Sequence, residues 1–139
     1  GLRARGAGGL AGAPAWGWEV LVAGQGGYLD GCWERAVVGL AGAAELRPAV
    51  RFALFHSVQA GARCEQRAIA AKGLTGPGYN GHAFWDTETF VLPVLTYTVP
   101  DAARDALRWR HATLRLARAR PQQLGLSGAA FPWPTIPRA

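Results

Sequence analysis

Phe90-Val-Leu-Pro-Val-Leu-Thr-Tyr-Thr-Val-Pro-Asp-Ala-Ala-Arg-Asp-Ala-Leu-Arg-Trp-Arg110 joins two helices of opposite character. Nearly every position from Phe90 to Val99 is apolar or threonine, and a helix that is apolar around its circumference is a buried one. That helix is expected to run from Ala83 toward Val99, interrupted at Pro93. Pro100 and Asp101 then mark a break and a restart, because a proline and an acid both suit the first turn of a new helix. The second helix, Asp101 to about Arg120, is amphipathic, with Ala103, Leu107, Leu114 and Ala117 inward and Arg104, Arg108, Arg115 and Arg118 outward. A buried helix followed by an exposed one gives, if repeated, two concentric helical layers. No internal sequence repeat extends the pattern.

Upstream, Leu46, Val50, Leu54 and Val58 recur every four residues, with Ala53 and Ser57 widening the stripe and Arg47, Arg51 and Arg63 away from its centre. Pro48 sits where a first-turn proline is tolerated. His56 lies two residues off the stripe and reads as solvated or locally bonded rather than catalytic. A further helix is expected over Tyr28 to Val38, with Leu29, Trp33 and Val37 on one face. Gly1 to Gly17, dominated by glycine and alanine, reads as flexible; Val20 to Ala23 reads as a short strand that Gly24 to Gly27 breaks. The expected organisation is therefore a flexible lead-in over residues 1–27 and a mainly α domain over residues 28–139. After Pro121 the chain reads as loop, with Phe131-Pro-Trp133-Pro extended.

Composition narrows the classes. The chain of 139 residues begins at Gly1 and contains no methionine, which suggests a piece of something longer. The net charge of +6 rests almost wholly on arginine. The basic cluster between Arg104 and Arg120 lacks an aromatic stacking platform beyond Trp109, so a solvated helix face is favoured over nucleic-acid binding. Cys32 and Cys64 have no CxxC spacing and no neighbouring ligand histidines, so buried free thiols are expected, with no metal site and no redox pair. No apolar run approaches the roughly 20 residues that span a bilayer, and no leader pattern is present. A cytoplasmic protein without membrane partners is expected.

Chemistry concentrates in Ala71-Lys-Gly-Leu-Thr-Gly-Pro-Gly-Tyr-Asn-Gly-His-Ala-Phe-Trp-Asp-Thr-Glu88. So many glycines shape a loop, since each costs a helix about 1 kcal/mol against alanine. The spacing of Gly73, Gly76, Gly78 and Gly81 resembles a phosphate-binding loop only superficially: no strand precedes it and no Gly-Lys-Ser/Thr follows. The better reading is that Gly76, Gly78 and Gly81 allow close approach or positive φ. Trp85 beside Asp86 is a way to hold a sugar, the indole covering a C–H face and the acid accepting from vicinal hydroxyls. The competing reading, a core tryptophan with Asp86 capping a helix, leads on spacing alone. Asp86 and Glu88 are not a glycosidase pair, because two positions on a helix differ by about 200°.

Lys72-Gly-Leu-Thr-Gly, Gly78-Tyr-Asn-Gly-His and Phe84-Trp-Asp-Thr-Glu together resemble the signature of family 65 glycoside hydrolases, which include maltose, trehalose and kojibiose phosphorylases. The likeness extends through Ala49-Val-Arg-Phe-Ala-Leu-Phe-His56, Leu92-Pro93, Thr96-Tyr97 and Gly128-Ala-Ala-Phe-Pro-Trp133, covering roughly Tyr28 to Ile136. The resemblance implies an (α/α)6 barrel, of which this chain holds the opening helices only. It also implies inverting phosphorolysis of an α-linked glucose disaccharide, giving glucose 1-phosphate. Inorganic phosphate is then the co-substrate, with no other cofactor, and the full-length enzyme is a candidate homodimer. Carried over by motif, Trp85 and Asp86 match the pair that holds the glucose whose bond is cut, and Trp133 lines the same pocket. The general-acid Glu and the phosphate ligands of the family lie downstream of the Phe-Pro-Trp segment, so no catalytic residue is assigned here and the isolated chain is expected to be inactive. Pro137-Arg-Ala continues the motif poorly, and the apolar stretch between Trp33 and Glu45 departs from an acidic family pattern. A hydrolase of the same family and a non-catalytic remnant are the alternatives.

Overall fold

The computed structural model describes residues 2–61, 66–76 and 78–135. Arg63, Cys64 and the stretch from Ile136, including Pro137-Arg-Ala, lie outside the described residues. The chain divides into two compact units, Gly1–Val37 and Val38–Ala139.

The first unit is one helix, α1 (Leu2–Arg35), broken at Gly17, whose φ of 72° and ψ of 158° are not helical. The expected lead-in over residues 1–27 falls on this helix, and the strand expected at Val20–Ala23 is helical instead. An isolated apolar tetrapeptide has no strand partner for its N–H and C=O groups, whereas a helix satisfies them internally. Gly24, Gly26 and Gly27 bias against helix without forbidding it. Cys32 and Ala36 are buried and Cys32 is a free thiol. Val37, expected on the inward stripe, is exposed, because the helix ends before it.

In the second unit a 310 turn, Ala44–Leu46, leads into α2 (Arg47–Gly61). Val58 is buried and Val50 and Leu54 half-buried, as their spacing implies, but Leu46 is exposed. Half-buried His56 lies edge-on to Phe52 and Phe55, with ring centroids 4.3 and 5.4 Å away. Gly61 closes the helix against Leu95: a Cβ there would come within 2.7 Å of the Leu95 Cδ1. Glycine is what allows α2 to approach so closely.

The apolar helix expected from Ala83 to Val99 is three elements: β1 (Ala83–Phe84), α3 (Asp86–Phe90) and α4 (Leu92–Thr98). Pro93 falls in the first turn of α4, where its missing N–H has no intrahelical partner to lose. Only one side of α4 is buried. Leu92, Leu95 and Thr98 point inward, while Phe90 and Tyr97 are exposed, so the all-round burial read from composition is not observed. Composition counts apolar residues without registering which have a neighbour to pack on. Leu92 and Leu95 form the core with Ile69, Ala102, Ala103 and Ala106, and Ala60, Val91 and Val99 pack against it.

The long amphipathic helix is two, α5 (Pro100–Ala112) and α6 (Leu114–Gln123), divided at Thr113. The Thr113 hydroxyl donates to the Arg110 carbonyl at 2.7 Å, a local bond that competes with helix continuation. Ala103 and Ala117 are inward and Arg104, Arg108, Arg115 and Arg118 outward, as their period requires, but Leu107 is exposed. The helix does not stop at Pro121. Proline has no N–H for the Ala117 carbonyl four residues back, and that carbonyl accepts instead from the Ala130 N–H at 2.8 Å. The bond ties the returning chain to α6. Thus anchored, it delivers β2 (Pro134–Thr135), which pairs antiparallel with β1 through Ala83 opposite Thr135 and Phe84 opposite Pro134.

Candidate functional site

The glycine-rich segment is a pinned loop. Its ends are joined by the Ala71 N–H donating to the His82 carbonyl at 3.0 Å, and Gly73 and Thr75 close turns onto the Ala70 and Lys72 carbonyls at 2.8 and 2.9 Å. Gly76 and Gly81 take positive φ of 141° and 75°. Gly78 serves by close approach, since a Cβ there would meet the Lys72 Cγ at 2.8 Å. Tyr79 and Asn80 are also left-handed, with φ of 58° and 51°. Each such non-glycine residue costs about 1–2 kcal/mol. The Tyr79 carbonyl stabilises the turn by accepting twice from His82, from its N–H at 2.9 Å and from its Nδ1–H at 2.8 Å.

This turn feeds β1, and β1 ends at Trp85, which occupies the cap position of α3. Asp86 is therefore the first residue of the helix and not its cap, and no side chain caps this end. Among the described residues the Asp86 carboxylate has no hydrogen-bond or ion-pair partner. The capping reading that spacing favoured fails for that reason. Pairing of β1 with β2 brings Trp133 against Trp85, ring centroids 4.7 Å apart and nearly perpendicular at 84°. Phe84 lies 5.2 Å from Trp133, and Tyr79 lies 5.4 Å from Phe84. These four rings make one continuous aromatic wall. Trp85 and Trp133 each keep 47% of their surface exposed. All three residues singled out in the sequence stand within this one region.

Glu88 turns away from Asp86, as the helical rotation requires, and meets Arg110. The guanidinium reaches both carboxylate oxygens, Nε to Oε1 at 2.5 Å and Nη2 to Oε2 at 3.2 Å. Arg110 is only 8% exposed; its Nη1 donates to the Thr135 hydroxyl at 3.5 Å, and its Cζ lies 4.7 Å from the Trp109 ring centre and 5.8 Å from that of Phe131. This residue was not singled out from the sequence. The available signal was its place on the inward stripe with Ala103, Ala106 and Ala117, where a charge demands a buried partner.

Other features lie elsewhere. Two open clefts of about 590 and 490 Å³ run along α5 and α6, lined by Arg104, Arg108, His111, Arg115 and Arg118 among others. No three His, Cys, Asp or Glu side chains gather among the described residues. No described helix is long and apolar enough to cross a membrane.

Residues 51–138 match the family model described as the glycosyl hydrolase family 65 central catalytic domain, and the chain belongs to that family. It is 61% identical over 135 residues to an uncharacterized glycosyl hydrolase of Mycobacterium tuberculosis, covering 97% of this chain and 17% of that protein. It is 46% identical over 110 residues to the alpha,alpha-trehalose phosphorylase of Geobacillus stearothermophilus, covering 78% of this chain and 14% of that one. A solved structure from the human microbiome, assigned to the kojibiose phosphorylases, superposes with a TM-score of 0.81 at 34% identity, covering 96% of this chain and 18% of that one. The architecture is thus mainly α, a partial (α/α)6 barrel. The chain spans about 17% of the length of the mycobacterial relative.

Proposed function

We propose that this chain supplies part of the donor-glucose pocket of a disaccharide phosphorylase acting on an α-linked glucose disaccharide. The observation that carries this reading is the placement of a carboxylate with no partner among the described residues, Asp86, directly after a half-exposed indole that is itself packed edge-on against a second. An indole face offers dispersion and a favourable surface to sugar C–H groups. A carboxylate spared from structural bonds can accept from two vicinal hydroxyls. The relatives named as trehalose and kojibiose phosphorylases support the substrate class. In the whole protein, a phosphate oxygen attacks the anomeric carbon from the face opposite the glycosidic bond. A carboxylic acid meanwhile protonates the departing sugar oxygen. The bond to phosphate forms as the glycosidic bond breaks, and glucose 1-phosphate leaves with inverted configuration.

The general acid is assigned outside the described residues, following the family pattern. Glu88 is unsuited to that role because both its oxygens are committed to Arg110. The second reading is hydrolysis at the same pocket, water replacing phosphate, and it is favoured by the glycosyl hydrolase name of the mycobacterial relative. The experiment is a titration of tryptophan emission with glucose in the wild-type chain and in Asp86→Asn. The expected result is a saturable change in the wild type, with binding weakened by about tenfold or more in the variant, the loss of charge-assisted bonds of about 1.5–3 kcal/mol. No saturable change, or equal affinity in both proteins, overturns the reading.

A further inference from the structure

α3 is five residues long, too short to hold its own shape, since an isolated helix of that length does not form in water. β2 is two residues long. The segments that carry Asp86 and Trp133 are therefore both held by what they touch. Arg110 touches both. Its guanidinium grips Glu88, two residues beyond Asp86, reaches Thr135, two residues beyond Trp133, and lies near the Phe131 ring, two residues before it. Because positions two apart on a helix face nearly opposite ways, drawing Glu88 toward α5 turns Asp86 to the other side of α3. From the adjoining segment, Thr135 is held by the same cation.

We propose that Arg110 is a positioning residue of the sugar site: by holding α3 and β2 together it sets Trp85, and with it the Asp86 that follows, against the Trp133 indole. The proposal rests on the sugar-holding reading for its ligand but not for its geometry. A planar fork is needed, because one cation must serve two carboxylate oxygens and a third acceptor at once while lying near an aromatic ring. A lysine offers a point charge and cannot reproduce that set. Removing Glu88 strands the buried Arg110 charge, and removing Arg110 frees Glu88 from α5.

Two readouts test this in the full chain. The perpendicular contact between Trp85 and Trp133 gives an exciton couplet in circular dichroism, identified as the signal lost in Trp133→Phe. Glucose affinity is read from tryptophan emission. Arg110→Lys and Glu88→Gln are the informative variants, as both keep the size of the side chain. In each, the couplet is expected to fall by at least half while helix content stays, and the glucose Kd to rise about tenfold or more, since displacement on the order of 1 Å is costly in a preorganised site. An unchanged couplet in both variants overturns the proposal, whatever the affinity does. If the wild type shows no glucose binding, the sugar reading fails, and the couplet alone then decides the role of Arg110.

Discussion

Leu95 has no solvent-exposed surface, and the absent side chain of Gly61 is what makes room for it. Leu95→Ala removes the centre of the core and is expected to cost about 2–5 kcal/mol. Gly61→Ala drives a methyl to 2.7 Å from the Leu95 Cδ1, and overpacking of this kind costs about 1–3 kcal/mol. Urea denaturation of both variants checks the pair; equal stability of Gly61→Ala and wild type would show that α2 can retreat. At this scale the residues proposed to face a sugar are picked out by motif alone. Trp85, Asp86 and Trp133 carry a recognisable motif, and motif residues keep their identity whatever the surrounding fold. Arg110 was not legible. Its arginine neighbours at 104, 108, 115 and 118 are exposed, and composition alone does not separate a solvated guanidinium from a buried one.

Among the elements, legibility depended on whether a boundary is set locally. Pro100 opens α5 and Pro48 lies in the first turn of α2, both as chain chemistry dictates. The segment at Ala83 is a strand and not a helix start because β1 exists only through β2, 50 residues away in sequence, and no local feature announces that partner. Pro121 shows the reverse case, a local residue with a distant effect. Pro121→Ala restores an N–H that competes for the Ala117 carbonyl, so the Ala130 amide is expected to exchange hydrogen faster in this variant. An unchanged Ala130 exchange rate would show that the returning chain is held by β2 alone. In α1, Cβ atoms added at Gly24, Gly26 and Gly27 meet nothing within 4 Å. Alanines there are expected to raise helix stability by about 1 kcal/mol each, read as stronger far-ultraviolet dichroism. Alanine at Gly17, with its φ of 72°, is expected to act in the opposite direction.

For the molecule as a whole, family membership and architecture are shown over a chain that spans about 17% of a relative's length. Exposed Phe90 and Tyr97 show how far composition overstated burial. The surface charge is organised simply: Arg104 pairs with Asp101 at 2.8 Å and Arg108 with Asp105 at 3.7 Å, and exposed pairs of this kind contribute at most about 1 kcal/mol each. Activity is a different matter. With Glu88 committed to Arg110 and Asp86 proposed to bind hydroxyls, neither carboxyl group of α3 is left to protonate a departing sugar oxygen. The 139-residue chain given kojibiose or trehalose with phosphate is therefore expected to release no glucose 1-phosphate; coupled enzymatic detection of that ester would contradict the assignment of Glu88.

The loop before the aromatic wall has one further consequence. Lys72 is the sole lysine of the chain, and its methylenes lie over the backbone of Gly78, beside the left-handed turn that leads to Trp85. An amine-reactive dye therefore meets one side-chain target, and that target already stands on the loop next to the proposed sugar site. The composition has left the protein with a ready-made place for a reporter, needing no engineered cysteine.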